Sequence, residues 1–316
     1  MSQNIQTQDI VYALAASPGF ADDGICFAAR ASGLHRSEDE GASWHDAYAG
    51  LSLVAPLATS AVAVSPNFRQ DRTVFAGVAG GVLHSLDGGR SWVMAPLPSA
   101  LSPVVSSLAI SPNYAHDGIL LAATVEDGVF RSANRGHNWT AWNFGLLDLN
   151  ILSTAISPGF GHDDTLFVGS ESGVFCSTNG GRAWKEIAGF PPDWAPVLSL
   201  ALSPDFCRDG TLFAGTESNG LFWSANRGES WEQLAAELAA DAVNAVILGP
   251  KFPAKPSLLV LVGNRLLVSR DKGMSWTEWE TGVSAEADVA SVIAPMGLDS
   301  GAPLLVGLTQ GAVLRI

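Results

Sequence analysis

Short apolar runs alternate with turn-forming residues along the whole chain, and residues 196–234 show the pattern clearly. The run VLSLALSP ends at a proline, TLFAGT and GLFWS follow polar turns, and EQL begins after ANRGESW. Apolar runs of this length, separated by turns rich in Gly, Asp and Asn, are typical of short β-strands. We therefore predict four strands in this segment. Sustained helical periodicity is absent from the sequence, and 235–243 is the only stretch that suggests a helical turn.

This strand pattern repeats at a nearly constant interval. The segment Ser-x-Asp/Asn-x-Gly-x-x-Trp, called the box below, occurs six times, with successive serines 48, 47, 45, 47 and 45 residues apart. The boxes are Ser37–Trp44, Ser85–Trp92, Ser132–Trp139, Ser177–Trp184, Ser224–Trp231 and Ser269–Trp276. A fixed period of this length is the signature of a repeat architecture.

A second repeated pattern occurs in phase with the boxes. Ser-Pro dipeptides, continued by Gly249-Pro250 and Ala294-Pro295, place prolines at spacings of 48, 46, 46, 46, 46 and 45 residues. An aromatic residue follows two positions after the first six prolines, and an aspartate follows five positions after the first five: Asp23, Asp71, Asp117, Asp163 and Asp209. This proline-containing pattern occurs seven times, so the chain contains seven repeats of about 46 residues.

Four strands in each of seven repeats predict an all-β fold, a seven-bladed β-propeller of four-stranded antiparallel blades. We expect one domain over 1–316, with blades at about 10–51, 58–98, 104–146, 150–190, 196–238, 243–283 and 289–316 plus 1–9. The last repeat stops before its fourth strand, so we predict that the N-terminal segment completes blade seven and removes an open edge. The alternative is a frayed N-terminus beside a three-stranded blade.

The box has a physical interpretation as a turn between the third and fourth strands. We predict that its Asp or Asn binds backbone N–H groups two residues on, that Gly supplies a positive φ, that Ser caps the turn, and that Trp buries its ring. Because Asp and Asn exchange freely, we expect a structural role for these residues rather than metal binding or catalysis. They are Asp39, Asp87, Asn134, Asn179, Asn226 and Asp271.

The boxes resemble the BNR or Asp-box repeat family, whose motif is Ser-x-Asp-x-Gly-x-Thr/Ser-Trp, and the resemblance covers almost the whole chain. That family includes sialidases, xyloglucan-acting glycosidases, sortilin-type receptors and photosystem II assembly-factor propellers. Repeat number and length are most similar to the last group. The resemblance implies the fold but no single function. It also implies that an active site, where one exists, lies on the face opposite the boxes.

Composition narrows the function further. Hydrophobic residues make up 47% of the chain, too many for a disordered protein. With 17 basic and 31 acidic side chains, the net charge of -14 disfavours nucleic acid as a partner. An apolar run long enough to span a membrane and a recognisable signal peptide are both lacking, so we expect a cytoplasmic protein without membrane insertion. Cys26, Cys176 and Cys207 are far apart and are expected to be free thiols, and we expect no cofactor and no metal site.

The candidate site lies on what we call the turn face, formed by the turns between second and third strands and by the connections between blades. Glu126, Glu171 and Glu217 are the catalytic candidates, because two carboxylates are what glycoside hydrolysis requires. Arg30 and Arg265 are the only cations predicted there, too few for the three-arginine site of a sialidase. The ligand-binding candidates are Arg30, Tyr48, Glu126, Asp127, Glu171, Asp193, Trp194, Glu217, Asn219, Asn264 and Arg265.

Three hypotheses of function remain. The connections between blades are apolar, as in LSLVAPLATS and FPPDWAP, and apolar walls with a few polar groups favour a non-enzymatic propeller that binds a partner protein or ligand on the turn face. The first alternative is a glycoside hydrolase or other small-molecule enzyme that uses Glu126, Glu171 or Glu217. The second is a carbohydrate-binding module with Trp194 as a stacking platform for the sugar.

Overall fold

The computed structural model describes residues 8–190, 192–194, 196–234, 238, 241–279 and 288–316. These residues form seven antiparallel sheets in which the strands follow chain order. Six sheets have four strands, and the seventh has three in the part of the chain that is described. The predicted all-β, seven-bladed propeller is therefore confirmed.

Each blade runs outward from a first strand beside the central channel to a short fourth strand at the rim. The first strands are β1 (Val11–Ala16), β5 (Thr59–Val64), β9 (Val105–Ile110), β13 (Ile151–Ile156), β17 (Val197–Leu202), β21 (Val243–Leu248) and β25 (Val289–Ile293). The second strands are β2 (Cys26–Arg30), β6 (Val74–Val78), β10 (Leu120–Thr124), β14 (Leu166–Ser170), β18 (Leu212–Thr216), β22 (Leu258–Val262) and β26 (Leu305–Leu308). The third strands are β3 (Gly33–Ser37), β7 (Gly81–Ser85), β11 (Gly128–Ser132), β15 (Val174–Ser177), β19 (Leu221–Ser224), β23 (Arg265–Ser269) and β27 (Val313–Arg315). The fourth strands are β4 (His45–Asp46), β8 (Val93–Pro96), β12 (Thr140–Ala141), β16 (Lys185–Glu186), β20 (Glu232–Leu234) and β24 (Thr277–Glu278).

The hydrophobic core lies between neighbouring blades. The second strands are almost entirely buried, and their side chains pack against the first strand of the next blade. At Gly77 this approach is so close that a Cβ atom would lie 2.6 Å from Val105 Cγ1. Glycine is therefore needed at this position to let blade three pack against blade two.

Blades seven and one are in contact, which closes the ring. Ser291 Oγ donates a hydrogen bond to the carbonyl of Val11 at 2.8 Å, and Leu305 packs in one cluster with Val11 and Phe20. The predicted completion of blade seven by the N-terminal segment falls mainly on residues 1–7, which lie outside the described residues. It remains a prediction.

The Ser-Pro loops are more ordered than the turns that the sequence predicted. In the described residues each of the first five contains one α-helical turn: α1 (Phe20–Asp23), α2 (Phe68–Asp71), α3 (Tyr114–Asp117), α4 (Phe160–Asp163) and α5 (Phe206–Asp209). In blade three, Ser111 Oγ donates to Asp117 Oδ2 at 2.6 Å and accepts from Asn113 N, while Asp117 Oδ1 accepts from Ile119 N. These bonds explain the recurring serine and aspartate. One helical turn is too short to show helical periodicity in a sequence.

The helical turn predicted at 235–243 lies largely outside the described residues. A 3₁₀ turn that was not predicted occurs at Pro192–Trp194, in the connection between blades four and five.

The boxes form the predicted turns, with one correction to their geometry. Asp87 Oδ1 accepts from the backbone N of Ser91, four residues on rather than two, at 2.9 Å, and Ser85 Oγ accepts from Gly89 N at 2.8 Å. The turn is wider than a simple Asx turn because the side chain spans the whole loop. Trp92 is 7% exposed, and its Nε1 donates to the carbonyl of Ala47, so the ring fixes blade two to blade one.

Candidate functional site

A cavity of about 440 Å³ opens on the turn face between blades one, two and three. Apolar groups form most of its wall, and the hydroxyls of Ser60 and Ser106 donate to the carbonyls of Val105 and Ile151 at 2.7 and 2.5 Å. The lining residues are Tyr12, Ala58, Ser60, Ala79, Val104 and Ser106. Its volume is within the range of small-ligand pockets. It can therefore accept one large side chain or a small ligand.

The two connections that supply Ala58 and Val104 to the cavity wall also carry exposed apolar side chains. Leu53 and Val54 lie in the connection from blade one to blade two, and Leu101 and Val104 in the next. Val54 is fully exposed, and Leu101 is 66% exposed. Such a group of apolar residues on one face marks a site of interaction.

The acidic turns of blades three and four are joined by one asparagine. Asn150 Oδ1 accepts from the backbone N of Glu126 at 2.9 Å, and its Nδ2 donates to Glu171 Oε2 at 3.1 Å. Glu126 adopts a positive φ of 77°, which is unusual for a residue with a side chain. The sequence indicated both glutamates but not Asn150, whose role depends on the register between two blades.

Several polar residues hold the connections onto the turns. Asp148 accepts from the backbone N of Asn150 at 2.9 Å and of Ser172 at 2.8 Å. Burial acts to raise the pKa of Asp148, but these hydrogen bonds outweigh it and lower the pKa. Asp9 likewise accepts from Ser32 N at 2.8 Å. These carboxylates have a structural role beside any role in binding.

The two predicted asparagines act in the same way. Asn219 Nδ2 donates to the carbonyl of Asp193 at 3.0 Å. Asn264 Oδ1 accepts from Val289 N at 2.5 Å. Each asparagine therefore fastens a turn to the connection between two blades.

Tyr48 is a core residue and not an accessible binding residue. It is 3% exposed, its hydroxyl lies 3.0 Å from Thr59 Oγ1, and its ring packs edge-on against Trp92. Burial raises its pKa. The sequence suggested a ligand contact because Tyr48 lies in a connection on the turn face, but the ring folds back between the blades.

Trp194 is half-buried and already stacked. Its ring lies 4.0 Å from that of Phe222, nearly parallel to it, and packs edge-on against Phe190. One face of the indole is therefore used by the core of blade five, which leaves less of it for a sugar.

The two cations of the turn face are also engaged. The Arg30 guanidinium lies 5.6 Å from the centre of the Trp44 ring, and burial lowers its pKa. Arg265 lies 4.0 Å from the carboxylate of Asp241. Neither is among the residues that line the cavity.

The catalytic candidates do not form a pocket. Glu126, Glu171 and Glu217 lie exposed on the turns of three successive blades, together with half-buried Asp127 and exposed Asp193. No carboxylate is among the described residues that line the cavity. In the described ranges, no three His, Cys, Asp or Glu side chains are grouped to hold a metal ion, and no helix there is long and apolar enough to cross a membrane.

None of the six residues that line the cavity was a candidate from the sequence, and Tyr12 is the largest of them. It is 46% exposed, on the first strand of blade one. The signal was present in the sequence, because the equivalent residues in the first strands of blades two and three are Ser60 and Ser106, and a large aromatic is unusual beside a central channel.

Comparisons with known proteins establish the fold. No family model and no curated protein matches this sequence. A structure of YCF48 bound to a D1 peptide is similar with a TM-score of 0.70 and 18% identity, over 98% of this chain and 92% of that one. The GH74 xyloglucanase from Xanthomonas campestris has a TM-score of 0.73 and 19% identity, over 99% of this chain. The extracellular domain of a putative one component system from B. thetaiotaomicron has a TM-score of 0.71 and 15% identity, over 99%.

These similarities define the chain as a seven-bladed β-propeller with YCF48 and GH74 propellers as structural neighbours. The chain has nearly the full length of the YCF48 structure. It covers 52% of the xyloglucanase and 39% of the sensor domain.

Proposed function

We propose that this protein is a non-enzymatic propeller that binds a segment of a partner protein on its turn face. The observation that carries the proposal is the cavity of about 440 Å³ between blades one, two and three. Its walls are mainly apolar, exposed apolar side chains lie in the two connections that reach it, and no described carboxylate lines it. A cavity of this kind suits one apolar anchor residue of a peptide, which is how a few residues supply most of the binding energy at interfaces.

One structural neighbour supports this proposal. YCF48, which this chain matches over nearly its whole length, has been solved with a bound D1 peptide. A propeller of this size is therefore able to bind a peptide without an added domain.

The proposal is tested by selecting displayed random peptides on the protein and measuring their binding to two variants. Ala79→Trp places an indole in the cavity wall, and Ala21→Trp makes the same change at an exposed position on the opposite face. We expect the first to weaken the selected peptides about tenfold or more, because it fills the space of the anchor, and the second to change binding less than about twofold. Peptides that bind wild type and Ala79→Trp equally would refute the proposal.

A glycoside hydrolase is the second candidate, favoured by the similarity to the GH74 xyloglucanase and by the closeness of Glu171 to the turn of Glu126. The test is hydrolysis of xyloglucan oligosaccharides by wild type and Glu171→Gln. Turnover by the wild type that falls about a hundredfold or more in the variant would identify Glu171 as an acid or base and replace the binding proposal.

A further inference from the structure

We infer that the partner segment is cationic, with Lys or Arg residues beside the apolar anchor that enters the cavity. This inference rests on the proposed function and specifies the chemistry of the partner. It comes from the distribution of charge over the two faces and from the position of the acidic turns relative to the cavity.

Carboxylates dominate the turn face. Of the described residues there, nine are acidic and only Arg30 and Arg265 are basic, so 15 of the 17 Lys and Arg residues lie elsewhere. The nine are Asp9, Glu126, Asp127, Asp148, Glu171, Asp193, Glu217, Asp241 and Asp288. The described residues of this face therefore carry a net charge of -7, from nine acidic and two basic side chains, out of -14 for the chain.

On the opposite face several acidic residues have cationic neighbours. Arg90 pairs with Glu38 at 2.9 Å, and Arg315 pairs with Glu40 at 2.6 Å. Arg69 contacts Asp22. The negative potential of the protein is therefore weakened on the box face and concentrated on the turn face.

The acidic turns begin directly at the wall of the cavity. Val104 lines the cavity, and its carbonyl accepts from the backbone N of Val125 at 3.0 Å, one residue before Glu126. Asn150 then links Glu126 to Glu171, and the turn of Glu217 follows in the next blade. An extended segment anchored in the cavity would run over this acidic arc.

Charge complementarity selects the occupant. Cations on the segment would meet the exposed carboxylates, whereas an acidic segment with the same anchor would be repelled. Exposed ion pairs contribute little individually, but several together favour one partner and speed up association. They are also screened by salt, since the Debye length falls from about 10 Å at 0.1 M to about 3 Å at 1 M.

The test uses the peptides selected as described above on wild type and counter-selected on Ala79→Trp. We expect an excess of Lys and Arg beside one large apolar residue, and binding about tenfold or more weaker at high salt. The triple variant Glu126→Gln, Glu171→Gln and Glu217→Gln should weaken binding about tenfold. The matched control, Glu186→Gln, Glu229→Gln and Glu232→Gln, makes the same change of net charge on exposed residues near the outer wall and should change binding less than about twofold.

The possible results separate this inference from the proposed function. Selected peptides could lose binding to Ala79→Trp and yet be neutral or acidic and insensitive to salt. That result would refute the cationic partner and leave the proposed binding function intact. Equal losses in the two triple variants would also overturn it, because net charge alone would then explain the effect. A selection that yields no peptide able to distinguish wild type from Ala79→Trp would overturn both.

Discussion

Replacing Asp87 tests whether the box stabilises the fold through one shared acceptor atom. Asp87 Oδ1 accepts from the backbone N of Arg90 and of Ser91, each at 2.9 Å, and from Ser85 Oγ at 2.8 Å. Its Oδ2 accepts from Ser91 Oγ at 2.6 Å. Asparagine can keep every bond to Oδ1, whereas alanine keeps none.

The expected costs follow from these bonds. A net contribution of about 0.5 to 1.5 kcal/mol for each hydrogen bond applies to buried groups, and Asp87 is only half-buried, so its bonds contribute less. We therefore expect Asp87→Ala to lower the free energy of unfolding by about 1 to 2 kcal/mol and Asp87→Asn by about 0.5 kcal/mol. Asn179 at the same position of blade four, whose Oδ1 accepts from Ala183 N at 2.9 Å, shows that the amide suffices.

The difference between wild type and Asp87→Asn should also depend on pH. Slight burial acts to raise the pKa of Asp87, but hydrogen bonds from Ser91 and Ser85 outweigh it and lower the pKa to about 2. A depressed pKa in the folded state stabilises the protein above the pKa of the unfolded chain, about 3.9, and this stabilisation is lost as pH falls towards the folded value. The advantage of Asp87 over Asn should therefore shrink between about pH 4 and pH 2.

Urea unfolding followed by tryptophan fluorescence measures both effects, since the chain has 10 tryptophans. An Asp87→Ala variant that unfolds at the same urea concentration as wild type would refute the stabilising role of the network. An Asp87→Asn variant as unstable as Asp87→Ala at neutral pH would refute the role of Oδ1 and assign the effect to charge.

Three further predictions concern single positions. Gly118→Ala should destabilise the protein by about 1 to 2 kcal/mol in urea unfolding, because Gly118 has a φ of 60° and the new Cβ would lie 3.0 Å from Arg135 Cγ. An unchanged free energy of unfolding would contradict this reasoning. Asp164→Gly should stabilise the protein by about 0.5 kcal/mol, because Asp164 has a φ of 49°, a left-handed conformation that glycine adopts without steric strain. A lower urea midpoint of unfolding would contradict this. In native protein at pH 8 a thiol reagent should modify exposed Cys207 quickly and Cys26 only after unfolding, because burial raises the pKa of Cys26 to about 12. Fast labelling of Cys26 itself, located by peptide mapping, would contradict this.

The fold was predictable because its determinants recur with a fixed period. Each box and each Ser-Pro loop supplies its own hydrogen bonds within a few residues, as between Ser111 and Asp117, so local sequence is enough to specify it. The helical turns in these loops were not predicted, since four residues such as Tyr114–Asp117 are too few to show a period. The sequence also did not show that the box aspartate accepts a hydrogen bond from a residue four positions on. That geometry depends on a positive φ at the residue before the box glycine, such as Gly88.

The candidate site was only partly predictable because it forms between blades. The acidic turns of Glu126, Glu171 and Glu217 could be placed on the correct face by counting strands. Whether a side chain points outward or into the core depends on packing across the blade boundary, which placed Tyr48 against Trp92 and left Tyr12 at the cavity. A periodic sequence pattern cannot reveal such contacts, because each of them occurs at only one blade boundary.

The concentration of negative charge on one face has a structural cause in the repeat. Box arginines of blades three and five stack on the aromatic rings of their own Ser-Pro loops, with Arg135 5.5 Å from Tyr114 and Arg227 5.3 Å from Phe206. Cations are thus used on the box face to cover the apolar rings that hold each loop in place. The turns on the other face are held by side-chain bonds that differ from blade to blade, such as those of Asp148 and Asn219. A surface that differs from blade to blade on a uniform scaffold is where a partner can be recognised, and here that surface is acidic around an apolar cavity.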